Sequence, residues 1–329
     1  MPEVYPIAII GGGAAGVMAC LRSALNNDRF IFFPGTPKDK KKSRAFWVKK
    51  IENIPGFFGY KRAVEEPHLE TLKWIEESPF NKNFTWMKNR GVSNLQKNDK
   101  GQFLITDNQG EEFLATHVVL CTGGMDCQPK INGEIQPIFP FANAQSVDYC
   151  IRCDGHHVMR KETVIIGHGS TALWVGIILH ERYSPPSMTI LTNGEKSQFD
   201  EEGLKIADHY GFRVIEEKIQ KVLGDPRTGV LEGFLLENGE EVISQMAFVS
   251  LGMTYYNELA KNLGAEIDKV GRVVTDKKGE STVTSLFIAG DLKSGIKNQV
   301  YTAWDSAVDT IDEINSRLRR KKREAELSS

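Results

Sequence analysis

An α/β fold is predicted from three observations. Two short apolar runs each end in a glycine-rich turn and pass directly into a helical pattern. A third apolar run near the C-terminus closes on Gly290 and Asp291 and is followed by another helix. The stretches between them are short apolar segments punctuated by Gly, Asn and Asp, the signature of strands and hairpins.

The first unit is "IAIIGGGAAGVMACL". A strand is expected over 7–10, then Gly11, Gly13 and Gly16 at GxGxxG spacing, then a helix that turns Val17, Cys20 and Leu21 inward. Gly11 permits the tight turn, Gly13 lets backbone approach a pyrophosphate, and Gly16 lets helix and strand pack closely, with the helix N-terminus facing the phosphate charge. The same grammar returns at "TVIIGHGSTALWVGIIL", with a strand over 163–166 and Gly167, Gly169 and Ala172 as a GxGxxA variant. The chain therefore carries two dinucleotide-binding units of Rossmann type, with antiparallel hairpins expected in "QFLITDNQGEEFLATHVVLCTGG" and over 211–253. In the third segment the helix after Asp291 carries Val300, Ala303, Trp304, Ala307, Val308 and Ile311 at a 3.6 period, and the acid at the strand tip suits the hydroxyls of a sugar-like chain.

Size and charge narrow the class. The 329 residues suffice for two domains, and a net charge of -2 gives no overall pull toward nucleic acid. Two local basic runs, 37–44 and 317–323, read as a solvated loop and a solvated helix end. The first apolar run is short and enters glycines at once, so no signal peptide or membrane span is expected and the cytoplasm is the default location. Five cysteines, Cys20, Cys121, Cys127, Cys150 and Cys153, are too sparse for a secreted disulfide framework. Cys20 and Cys121 fall on apolar faces and read as core, and Cys127 reads as inert.

Cys150 and Cys153 stand two residues apart in "YCIRCDGHH". Such a pair closes a disulfide or, with His156 and His157, supplies four zinc ligands, so the local string leaves both chemistries open. Two consecutive histidines rarely turn to one ion. They are expected at the domain surface, with a proton relay as the other reading.

Taken in order, "GGGAAG", "ENIPGF", "VVLCTGG", "CIRCDG", "GHGSTA" and "FIAGD" resemble the low-molecular-weight thioredoxin reductase family of FAD-dependent disulfide reductases, over nearly the whole chain. The resemblance implies two Rossmann-like domains with the second inserted into the first: an FAD domain over 1–127 and 252–329, ending in the basic helix, and a pyridine-nucleotide-type domain over 128–251 that carries the cysteines. It implies FAD contacts from Gly11, Gly13, Ala14, Ala15, Gly16, Thr36, Asn53, Thr122, Gly123, Gly290, Asp291, Asn298 and Gln299, nucleotide contacts from Gly167, Gly169 and Ala172, a homodimer, and no metal. It also implies a redox role for the cysteines: Cys153 beside the flavin, Cys150 attacking the disulfide of thioredoxin or a thioredoxin-like protein, and Asp154 protonating the departing thiolate. Arg152 is a candidate for lowering a cysteine pKa.

Two departures bear on the cofactors. An acid normally holds the FAD ribose after the second strand, but Pro34, Gly35 and Thr36 stand there, with Thr36 or backbone as the substitute. NADPH-using members carry a His-Arg-Arg run and a further arginine after the second unit's second strand; here Thr192, Asn193, Gly194, Glu195 and Lys196 include no arginine. Glu195 suits the ribose hydroxyls of NADH better than a 2′-phosphate. The electron donor is thus open between NADH, NADPH and ferredoxin, for which Lys38 to Lys42 offer positive charge. The alternatives to a reductase are a dithiol oxidase, against which Asp154 weighs, and a non-catalytic flavin or nucleotide sensor.

Overall fold

The computed structural model describes residues 3–328, which fall into two compact units. One comprises Met1–Lys50, Phe57–Met125 and Thr254–Ser329, the other Ile51–Gly56 and Asp126–Met253. The segment 51–56 thus groups with the second unit, apart from the residues on either side of it.

The first unit is built on parallel strands. Val4–Ile10 lies between Phe30–Phe33 and Glu112–Leu120, with Phe84–Trp86 outside the former and Leu286–Ile288 beside the last residues of the latter. The hairpin Val92–Lys97 and Phe103–Asp107 attaches antiparallel to the first half of Glu112–Leu120. Strands covered on both faces read as unbroken apolar runs, and Phe30–Phe33 is buried at every position. Helix Ala14–Leu25 packs Val17, Ala19 and Cys20 into this core, with Leu21 at its edge.

Helix Val300–Leu327 buries Ala303, Ala307 and Ile311 of the expected periodic set and adds small polar residues to that face. Its buried residues are Ala303, Ser306, Ala307, Thr310, Ile311 and Ile314, while Val300, Trp304 and Val308 are half-buried. Small residues let it lie close to the Gly290 turn, where the Ser306 hydroxyl accepts the Gly290 N–H at 3.0 Å. Its basic end is not simply solvated. Arg317 makes a two-pronged bond to Glu280 at 2.8 and 2.7 Å, and Arg319 reaches buried Asp28 at 3.0 Å. Arg320, Lys321, Lys322 and Arg323 are exposed as expected. No described helix is long and apolar enough to cross a membrane.

The second unit holds five parallel strands in the order Arg213–Ile215, Met188–Leu191, Thr163–Ile166, Met246–Val249 and Val147–Asp148. Ile219–Asp225, Val230–Leu236 and Glu241–Ile243 form a separate antiparallel sheet. The predicted hairpins are therefore present in both units.

Helix Glu65–Glu77 buries a histidine, with consequences in acid. Burial pushes the His68 pKa down to about 4. The unfolded chain, with an ordinary value near 6.5, then binds a proton that the folded chain refuses as pH falls. Stability rises with pH wherever the unfolded state holds the extra proton, so the folded state loses about 3 kcal/mol between pH 6.5 and pH 4. Urea unfolding at pH 7 and pH 4.5 should show a smaller acid loss in His68→Leu than in the parent; equal losses would refute the effect.

Candidate functional site

The first glycine loop is shaped by contact. Gly11 has φ +114, and a Cβ there would sit 2.3 Å from the Cys121 carbonyl oxygen; one on Gly16 would sit 1.8 Å from the Gly11 oxygen. No residue larger than glycine fits either place. A Cβ on Gly13 would meet nothing within 4 Å, and Gly13 begins the helix without a side-chain cap. The loop is closed toward the protein and open toward the helix N-terminus, whose first N–H groups lack intrahelical partners. That is the fit a pyrophosphate requires, with Ala14 and Ala15 in the first turn beneath it.

Gly290 completes this region from the far end of the sequence. It has φ +77, and a Cβ there would lie 2.8 Å from that of Ala15. Asp291 follows and receives Arg44 Nη1 at 3.3 Å; Arg44 also donates to the Asn298 carbonyl at 3.4 Å. Arg44 is therefore not part of a solvated loop, although Lys38, Lys41 and Lys42 are exposed. Gln299 is buried and donates to the same Asn298 carbonyl, and the Asn298 amide reaches the Tyr255 hydroxyl. Thr122 donates to the Tyr256 carbonyl at 2.7 Å, and Gly123 accepts the Tyr256 N–H.

Thr36 uses its hydroxyl locally. It caps the short helix Pro37–Lys40, donating to Asp39 at 2.6 Å while Asp39 also accepts the Thr36 N–H. The nearest acid after the second strand is Asp39, which sequence reading passed over and whose carboxylate is engaged with the Thr36 N–H and hydroxyl. The capping-box spacing of Thr36 and Asp39 was the available signal. Asn53 falls in the segment grouped with the second unit.

In the second unit Cys150 and Cys153 form a disulfide, with Cα atoms 5.3 Å apart. Cys150 is the extended residue that opens helix Ile151–Asp154, and its sulfur accepts the Cys153 N–H at 3.2 Å. That N–H is a donor aimed at the Cys150 sulfur from within the turn itself. Arg152 is exposed, and Asp154 is half-buried directly after the disulfide.

His156 keeps the expected surface position, with its side chain 40% exposed, whereas His157 does not, at 16%. His157 is half-buried between two carboxylates: Nδ1 lies 2.8 Å from Asp148 Oδ2 and Nε2 lies 3.2 Å from Glu52 Oε2. His156 Nε2 lies 2.6 Å from the same Glu52 oxygen. The hydrogen bond that His157 donates to Asp148 raises the His157 pKa against the opposing effect of burial, whereas burial holds Asp148 itself up. Glu52 is held down by both histidines, burial opposing them. Glu52, which opens the "ENIPGF" motif, is 104 residues from His156, and nothing in the sequence pairs the two.

The second glycine loop repeats the first. A Cβ on Gly167 would lie 2.5 Å from the Ser250 carbonyl oxygen and 2.7 Å from the Cβ of Ala172, while Gly169 is open and begins helix Ser170–Tyr183 uncapped by a side chain. After Met188–Leu191, Asn193 has φ +57 and both donates to the Lys130 carbonyl and accepts the Ile219 N–H. Glu195 and Lys196 are exposed. Glu216 accepts the Ser197 N–H at 2.9 Å; that contact lowers its pKa, with Lys196 adding to the effect. The lone lysine of this loop thus has an acid for a neighbour.

Comparison with known proteins agrees with this geometry. The profile of the pyridine nucleotide-disulphide oxidoreductase family matches residues 5–307. A thioredoxin reductase from Bacillus subtilis (strain 168) is 24% identical over 316 residues, covering 92% of this chain and 90% of its own. Among solved structures, thioredoxin reductase from Streptococcus pyogenes MGAS5005 superposes with a TM-score of 0.80 at 18% identity, covering 97% of this chain and 100% of its own. HlmI superposes with a TM-score of 0.83 at 16% identity, covering 100% and 97%. These likenesses share the arrangement of two Rossmann-like domains. The chain belongs to the pyridine nucleotide-disulphide oxidoreductase family, as an oxidoreductase of the thioredoxin-reductase type.

Proposed function

We propose that the protein is a FAD-dependent disulfide reductase that passes electrons through Cys150 and Cys153 to the disulfide of thioredoxin or a thioredoxin-like protein, as a cytoplasmic homodimer. The observation that carries this reading is the Cys150–Cys153 disulfide at the start of a helical turn, with Asp154 directly after it. FAD fits the loop of Gly11, Gly13 and Gly16 with Gly290 and Asp291, and when bound it supplies reversible two-electron transfer.

The protein's own residues then act in sequence. In the reduced protein the Cys150 thiolate, held by the Cys153 N–H, attacks one sulfur of the partner disulfide. A mixed disulfide forms and the other partner sulfur leaves as a thiolate, which takes a proton from Asp154. Cys153 then attacks the Cys150 sulfur, re-forming the internal disulfide and releasing the second partner thiolate. Two electrons pass to the partner.

A second reading, in which the electrons come from a non-nucleotide donor such as reduced ferredoxin, is favoured by the loop over 192–196, which has no arginine. Purified protein should be yellow with one FAD per chain and should reduce a thioredoxin disulfide with some donor. A correctly folded, colourless preparation that refuses added FAD would refute the reductase reading. Flavin binding without disulfide turnover under NADPH, NADH or ferredoxin would leave the sensor.

A further inference from the structure

Four side chains beside the redox turn have no part in the electron path above: Asp148, His156, His157 and Glu52. We propose that Glu52, His156 and His157 form a binding site for one divalent transition-metal ion of the zinc class.

The ligand atoms of these three residues all lie within 4.8 Å of one another. Around a tetrahedral zinc, with bonds near 2.0–2.1 Å, two ligand atoms stand about 3.3 Å apart. His157 Nε2 and Glu52 Oε2 are 3.2 Å apart already, and His156 Nε2 and the same oxygen, at 2.6 Å, need to separate by less than an ångström. Two imidazoles and one carboxylate make a three-ligand set with a fourth position left for water. Two nitrogen donors favour zinc-class ions over calcium or magnesium, which take oxygen.

The surroundings match a metal site in a second, independent respect. His157 presents Nε2 to the cluster while Nδ1 is held at 2.8 Å by Asp148, a buried carboxylate on the preceding strand. That outer bond fixes which nitrogen faces the ion and how the ring is turned, as for histidines that ligate zinc. Glu52 and Asp148 bring two negative charges to match the two positive charges of the ion. The His156 and Glu52 side chains are 40% and 32% exposed, so an ion can enter from solvent. The disulfide keeps both cysteine sulfurs out of the set, which separates this site from the Cys-Cys-His-His alternative considered from sequence.

The test is isothermal titration of zinc chloride into the oxidised, FAD-loaded full chain carrying Cys127→Ser, so that no half-buried free thiol contributes. One ion per chain should bind saturably. Glu52→Gln and His156→Ala should each weaken binding at least about tenfold, and Asp148→Asn by about 10- to 100-fold. Flavin content and unfolding temperature without metal serve as the folding control. His156 is the most exposed of the three ligands, so its variant decides the matter if Glu52→Gln fails that control. Absence of saturable binding, or unchanged affinity and stoichiometry in His156→Ala, would overturn the proposal.

Discussion

Cys150→Ser should lose disulfide turnover on the order of a thousandfold or more, as when a nucleophile is removed from a covalent mechanism, while flavin reduction survives. A serine hydroxyl is barely ionised near neutral pH and forms no mixed disulfide. The Cys153 N–H that now meets the Cys150 sulfur would meet an oxygen, leaving the turn intact. Cys153→Ser should act differently, by abolishing the thiolate-to-flavin absorbance band. Stopped-flow absorbance and turnover of a thioredoxin disulfide distinguish the two. If both variants keep full activity, the disulfide is structural and the reductase reading fails.

NADPH should be a weak donor, bound no better than NADH. A 2′-phosphate brings nearly two negative charges, and each charge-assisted hydrogen bond to it contributes about 1.5–3 kcal/mol. Losing two arginine contacts removes about 3–6 kcal/mol, or about 10²- to 10⁴-fold in affinity. Lys196 cannot restore this while Glu195 and Glu216 are its neighbours. Glu195→Arg should shift the preference toward NADPH, since residue 195 is exposed and the turn is held by Asn193 and by the Thr192 hydroxyl on the Glu195 backbone carbonyl, neither of which needs the Glu195 side chain. The decisive measurement is flavin reduction by NADPH, NADH and reduced ferredoxin. A low-micromolar NADPH dissociation constant with rapid reduction would refute the expectation.

How much of this was legible in the sequence follows from the range of each interaction. The two glycine loops could be read because their requirement is local: Gly11, Gly16 and Gly167 stand where a Cβ would strike backbone oxygen, and no other residue type satisfies that. Alternating and apolar runs gave the strands for the same reason. The side chains that complete the sites come from far along the chain and have no periodicity. Arg44 finds Asp291 across 247 positions, and Glu52 finds His156 across 104. Arg44 looked like part of a solvated basic run, and nothing in "ENIPGF" pointed from Glu52 to a histidine, until the fold brought each pair together. On the last helix the period found Ala303, Ala307 and Ile311 but not Ser306 and Thr310, because apolar period ranks Val and Trp above Ser and Thr, whereas close packing against the Gly290 turn selects for small volume.

The two core cysteines confer a chemical selectivity on the whole molecule. Cys20 and Cys121 are buried, and burial holds both thiols well above the range in which they ionise. Oxidants and alkylating reagents attack thiolates, so these two are inert toward peroxide and maleimide alike while the protein stays folded. The Cys150–Cys153 disulfide therefore has no competing thiolate in the core of the first unit to exchange with, and the oxidised bond stays at the redox turn for want of a charged sulfur elsewhere.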